Sequence, residues 1–143
     1  MRITTKGRYA LRAVLTLAEC CEGKPVSIRE LAEKESISPE FLEQIFFKLK
    51  KTGMISSTRG PGGGFTLNRS PKDITLHDIL DATGEGVEFS PCLVSTNGSS
   101  CPRQSHCIAH GVWDDAAKHI RDYFENITLK NILENKEEYL AKA

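Results

Sequence analysis

The sequence predicts a mainly α-helical fold with a small β-hairpin wing: a winged helix-turn-helix followed by a long C-terminal dimerisation helix. Three observations predict it. Two short amphipathic patterns, residues 27–35 and 39–51, are separated only by Ser36-Ile37-Ser38, which is helix-turn-helix spacing. Directly after them, "MISS" and "FTLN" flank "TRGPGGG", so a strand, a glycine-rich loop and a second strand follow the second helix of the pair. Further on, Val112, Trp113, Ala116, Ala117, Ile120, Tyr123, Phe124 and Ile127 make one apolar stripe with a period of about 3.5 residues.

Each element has a local reason. Residues 6–22 read as a helix because Tyr9, Ala10, Ala13, Val14, Leu17, Ala18 and Cys21 recur on one helical face. Gly23 and Pro25 stop it, and Cys20 and Cys21 in its last turn read as small buried hydrophobes. Ser27 opens the next helix as a capping box with Glu30. Ser38 and Pro39 open the third as N-cap and first helical residue. Its apolar set is Phe41, Leu42, Ile45, Phe46 and Leu49. Lys48, Lys50 and Lys51 suit the negative end of its dipole, and Gly53 ends it. A fourth helix is capped by Thr75, with Ile79 and Leu80 inward. The long striped helix starts near Cys107 or Ile108, and a short last helix follows from Thr128.

With 143 residues, 39% apolar and 27% charged, the chain is one domain or one domain plus an appendage, and it is not disordered. Arg8 and Arg12 interrupt the only apolar run near the N-terminus, so neither a signal peptide nor a membrane span is expected. A cytoplasmic location and reduced thiols follow, and five cysteines, an odd number, also count against a disulfide framework.

Formal net charge is zero, but residues 1–72 hold 13 Lys and Arg against 7 Asp and Glu, while residues 73–143 hold 6 against 12. The division into a DNA-binding region, 1–72, and a ligand-loop and dimerisation region, 73–143, follows this asymmetry. A basic half suggests a polyanionic partner, here double-stranded DNA. The polar residues near the start of the recognition helix are Glu40, Glu43 and Gln44. Gln can read adenine and Glu can accept from cytosine N4, although two acids near phosphates make Glu40 the weaker candidate. In the wing, Arg59 can enter a narrow minor groove, and glycine at Gly60 lets backbone approach backbone. No Gly-Lys-Ser/Thr follows the glycines, which excludes a nucleotide P-loop. Arg2, Lys6 and Arg8 stand where phosphate contacts fix register.

"PCLVSTNGSSCPRQSHCIAH", residues 91–110, gathers three cysteines and two histidines. Cys107 and His110 are three apart at a helix start and share a face. With Cys92 and Cys101 they form a closed set of three thiolates and one imidazole. That set suits either structural zinc or an iron–sulfur cluster with one histidine ligand. His106 is a rival donor, but it adjoins Cys107, which makes joint tetrahedral ligation less natural. No cofactor fingerprint or acid–base pair accompanies the thiols, so a redox or cluster-transfer enzyme is disfavoured and no catalytic residue is assigned.

"MRITTKGRYAL", "FLEQIFFKLKKTGMISSTRGPGGGF" and the three-cysteine-plus-histidine segment before a long helix resemble the IscR family of iron–sulfur cluster assembly regulators. The resemblance covers nearly the whole chain. It implies a homodimeric winged-helix transcription factor with one [2Fe–2S] cluster per subunit, supplied by the iron–sulfur assembly machinery. The matching ligands are Cys92, Cys101, Cys107 and His110; the matching DNA contacts are Glu43, Gln44 and Arg59. Two departures stand out: the Cys92–Cys101 gap is three residues longer than usual, and Glu40 replaces a small polar residue. Related nitric-oxide sensors place an aspartate [4Fe–4S] ligand where Arg8 stands, and Arg8 cannot ligate. The alternatives are a zinc-stabilised winged-helix regulator and a nitric-oxide or redox sensor of the [4Fe–4S] kind.

Overall fold

The computed structural model describes residues 2–86, 90–93 and 101–143. Its helices are α1 (Thr5–Cys20), α2 (Ile28–Glu35), α3 (Pro39–Lys51), α4 (Leu76–Thr83), α5 (Ile108–Asn126), α6 (Leu129–Glu134) and α7 (Lys136–Ala141), with strands β1 (Ile55–Thr58) and β2 (Gly64–Leu67) between α3 and α4. The expected winged helix-turn-helix is therefore present. No helix among the described residues is long and apolar enough to cross a membrane.

The capping chemistry is mostly as the sequence specifies. Ser38 Oγ accepts from the Phe41 amide at 3.3 Å. Ser27 Oγ accepts from the Glu30 amide at 3.1 Å, but only this half of the expected box forms, and Glu30 is exposed. Complete boxes form at α4, where Thr75 and Asp78 cap each other reciprocally, and at α6, where Thr128 and Asn131 do the same. The last helix is in fact two, α6 and α7, broken at Asn135 (φ −103°, ψ 22°). Asn135 Nδ2 donates to the Asn131 carbonyl at 2.8 Å, and such local side-chain bonding competes with helix continuation.

β1 and β2 pair antiparallel, from Ile55 opposite Leu67 to Thr58 opposite Gly64. Val26, between α1 and α2, adds an isolated antiparallel bridge to β2: its amide donates to the Phe65 carbonyl at 2.9 Å, and the Phe65 amide returns a bond at 2.7 Å. The hairpin is thereby fixed to the helical body. Gly64 explains how they come so close. Its φ is 152°, and an added Cβ would overlap the Val26 carbonyl.

One core joins these elements. Ala10, Val14 and Leu17 of α1, Leu31 of α2, and Leu42, Ile45, Phe46 and Leu49 of α3 are all buried. Phe46 meets Phe65 edge to face, centroids 4.9 Å apart. Ile74, Ile79 and Leu129 belong to the same buried cluster, so α4 and the start of α6 pack on the winged helix. Two backbone bonds pin the end of α5 beside the start of α4: Leu76 amide to Ile127 carbonyl and Leu129 amide to Ile74 carbonyl, both 2.9 Å.

The stripe on α5 is only partly covered by its own chain. Ala117 and Phe124 are buried, whereas Val112 is 56% and Tyr123 55% exposed.

Candidate functional site

The first group of site residues surrounds the start of α3. Pro39 sets the opening turn, and Glu40, Glu43 and Gln44 all lie exposed on the side away from Leu42, Ile45 and Leu49. Tyr9 meets Phe41 edge to face at 5.8 Å, which seats the first part of α1 beside the start of α3. A shallow depression lined by Thr5, Tyr9, Ser36, Ile37, Ser38 and Phe41 runs between them. Arg2 and Arg8 line the adjoining depression with Ile3, Thr4 and Thr5, and both are exposed. Arg8 donates to Thr5 Oγ1 at 3.2 Å. Thus two of the three basic residues at the N-terminus line a depression that meets, at Thr5, the one beside the start of α3. Lys6 is half-buried and turned toward Glu85 instead, where its charge is felt.

Arg59 and Gly60 lie exposed in the turn of the wing. Gly60 takes φ 98°, and its carbonyl accepts from the Gly63 amide at 2.9 Å, closing the turn. Lys50 Nζ reaches Ser57 Oγ at 2.5 Å, which ties the end of α3 to β1 and sets the wing relative to the helix.

The thiol segment sits at the other end of the chain's path. Cys92 lies half-buried in the turn Pro91–Leu93, its Sγ 3.0 Å from Ser90 Oγ, and this turn packs against α5. Cys101 is half-buried, and its carbonyl accepts from the Gln104 amide at 2.9 Å. His106 ends the turn Gln104–His106 and is exposed. Cys107 is the N-cap residue of α5 and exposed; the His110 amide donates to its carbonyl at 3.1 Å. The shared helix start expected for Cys107 and His110 is therefore in place. Residues 94–100, the rest of the Cys92–Cys101 loop, lie outside the described residues. All five cysteines are free thiols. Among the described residues, no three His, Cys, Asp or Glu side chains stand close enough together to hold a metal ion. The donors nevertheless fit an iron–sulfur group in kind: three soft sulfurs and one imidazole, each at least partly accessible.

Residues 83–85 tie the end of α4 to α3 and to the start of α1, and sequence reasoning missed them. Lys48 of α3 donates to the Thr83 carbonyl at the end of α4, 3.1 Å away. Gly84 then turns the chain with φ 82°. Next, the Glu85 carboxylate receives the Thr4 amide at 3.0 Å and the Thr4 hydroxyl, capping α1 from 81 positions away in sequence. Partial burial raises the Glu85 pKa, but the Thr4 hydrogen bonds, the Lys6 charge and the Gly7 amide outweigh it and hold the carboxyl below the usual glutamate value. No local pattern could have paired Thr4 with Glu85. Phe47, also missed, was findable: helical spacing places it opposite the apolar set of α3.

Comparison with known proteins gives the arrangement its relatives. Residues 3–135 match the Rrf2 family, described as iron-dependent transcriptional regulators. The HTH-type transcriptional regulator IscR of Pectobacterium atrosepticum is 37% identical over 137 residues, spanning 96% of this chain and 82% of that protein. IscR of Escherichia coli O1:K1 is 36% identical over 137 residues, with 96% and 83% covered. Among solved structures, T. potens IscR superposes with a TM-score of 0.76 at 29% identity, covering 97% of this chain and 90% of its own. CymR, the global cysteine regulator of B. subtilis, superposes with a TM-score of 0.73 at 27% identity, covering 92% and 95%.

Proposed function

Because the chain belongs to the Rrf2 family and is a transcriptional regulator of the IscR kind, we propose that it is a homodimeric, cytoplasmic, sequence-specific DNA-binding protein. In this reading it holds one [2Fe–2S] cluster per subunit, received from the iron–sulfur assembly machinery, and regulates cluster biogenesis and related genes. The observation that carries the DNA reading is the exposed set Glu43 and Gln44 on α3, with Arg2 and Arg8 beside its N-terminus and Arg59 on the wing. Gln44 and Glu43 face base edges in the major groove, Arg59 and the Gly60 backbone meet the adjoining groove, and Arg2 and Arg8 hold phosphates, while Lys6 stays with Glu85. Glu40 is the least favoured contact, since with Glu43 it would place a second carboxylate against the phosphates.

Cys92, Cys101, Cys107 and His110 would hold the cluster. When bound, it supplies a centre whose integrity depends on iron and oxidant supply. The chain's own part is mechanical. Cys107 and His110 fix one side of the ligand set to the first turn of α5, the helix with the uncovered apolar stripe. Cys92 and Cys101 fix the other side to the segment leaving Glu85. The end of α4 from which that segment departs bears on α3 through the Lys48–Thr83 bond and on the start of α1 through the Thr4–Glu85 bonds. Glu43 then acts as the gate: its carboxylate meets a cytosine amine in one arrangement of the two reading heads and repels the backbone in the other.

The test is an anaerobic one. Visible absorption of the purified or reconstituted wild type, set beside His110→Ala, should show a cluster spectrum that the variant alters. Electrophoretic titration of loaded and cluster-free protein on the same duplexes should show different site preferences. A colourless protein that retains one zinc per subunit would defeat the cluster reading. Identical preferences in the two forms would defeat the gate.

A further inference from the structure

The recognition helix carries one residue out of keeping with its polar face. At about 100° per residue, Glu40, Gln44, Phe47 and Lys51 of α3 fall within about 60° of one another, and Glu43 borders them. The buried Leu42, Ile45, Phe46 and Leu49 occupy the opposite side. Phe47 therefore points directly away from the core and is 61% exposed, while its neighbour Phe46 is fully buried. Lys51 places its ammonium 4.5 Å from the centroid of the Phe47 ring.

We propose that Phe47 is a specificity-determining residue that packs against a thymine methyl group in the major groove. The inference rests on the reading of α3 as the DNA-recognition helix and adds a base preference to it. The C5 methyl of thymine is the apolar group that the major groove offers, and aromatic or methyl side chains are what recognise it. The surroundings select this partner over an apolar protein surface. Phe47 is the only exposed large hydrophobic side chain among the described residues 2–86; the others lie on α5 and α7. A protein-docking patch would be contiguous. Here the lone ring is bordered by Gln44 and overlain by the Lys51 cation, with Lys50 exposed next to it, which suits a polyanion with one apolar contact.

The helix geometry gives the register. Phe47 lies about one turn beyond Glu43 and Gln44, a rise of about 5.4 Å, against about 3.4 Å between successive bases on one strand. The thymine it reads is one or two base steps from the position read by Gln44.

The experiment starts from duplexes selected out of random sequence by the wild-type protein. Each thymine of the preferred site is replaced singly by deoxyuridine, which removes the methyl group and nothing else. Wild type should lose about fourfold in affinity at one thymine per half-site, the effect of burying about one methyl group. That thymine should lie one or two steps from the base whose preference is lost in Gln44→Ala. Phe47→Ala, at an exposed position where alanine favours the helix, should bind the thymine and uracil duplexes equally. It should also keep the wild-type salt dependence, because no phosphate contact is removed. Equal wild-type affinity for all the uracil duplexes would overturn the proposal while leaving DNA binding intact. So would a uracil effect that persists in Phe47→Ala. Failure to select any preferred duplex would overturn both this inference and the reading beneath it.

Discussion

Single residues set how closely the parts of this molecule approach one another. At Gly64 the wing passes so near Val26 that a methyl group would overlap its backbone. The φ of 152° also disfavours any other residue. Gly64→Ala should therefore cost about 1–3 kcal/mol, read as a lower midpoint in denaturant unfolding. Arg59, by contrast, is exposed and outside the core. Arg59→Ala should leave the unfolding midpoint unchanged but weaken DNA binding and reduce the slope of affinity against salt by about one counterion. Glu85 makes a pH-dependent contribution. Its folded pKa lies below the ordinary value of 4.5, so the stabilisation is complete above the unfolded pKa. It is lost as pH falls through the folded value. Glu85→Gln should be less stable than wild type near neutral pH by about 1 kcal/mol, the worth of a helix cap. In acid, below the folded pKa, the two melting temperatures should converge.

Elements are coupled by few polar contacts, and these lie where the apolar core cannot specify an angle. Lys48 joins α3 to the last turn of α4 through a single bond to Thr83, while Lys50 joins α3 to β1. Arg12 bridges α1 to the end of α2, 3.0 Å from Glu35. Lys48→Met keeps the half-buried stem and removes the bond. It should cost about 1 kcal/mol in stability. On the proposed cluster-sensing reading, it should also narrow the difference in DNA affinity between loaded and cluster-free protein, measured by anaerobic titration, because that reading couples the thiol segment to α3 through α4.

At the scale of the whole molecule, α5 carries four of the seven exposed large hydrophobic side chains among the described residues. Val112 and Tyr123 lie more than half exposed along it, and Ile108 at its start is 90% exposed. A second copy meeting this face would bury apolar area about a two-fold axis. On the proposed homodimer, Val112→Glu should shift the equilibrium from dimer to monomer in sedimentation equilibrium. It should also lower affinity for a two-half-site duplex far more than for a single half-site, since the two reading heads lose their linkage.

What the sequence determined by itself is what local chemistry dictates. Ser27, Ser38 and Thr75 mark their helix starts because a cap needs only the next three residues. The wing follows from glycines between alternating strands, and the Cys107–His110 pairing from three positions on one helix. The resemblance added the family, which the comparisons bear out. Tertiary structure alone decided the rest. Val26 joined β2 by a single bridge to Phe65 although one residue carries no period. Thr4 and Glu85 met across 81 positions, so the segment that leads to the thiols also caps the first helix. Such contacts depend on which surfaces the buried core brings together, and no window of neighbouring residues contains that information.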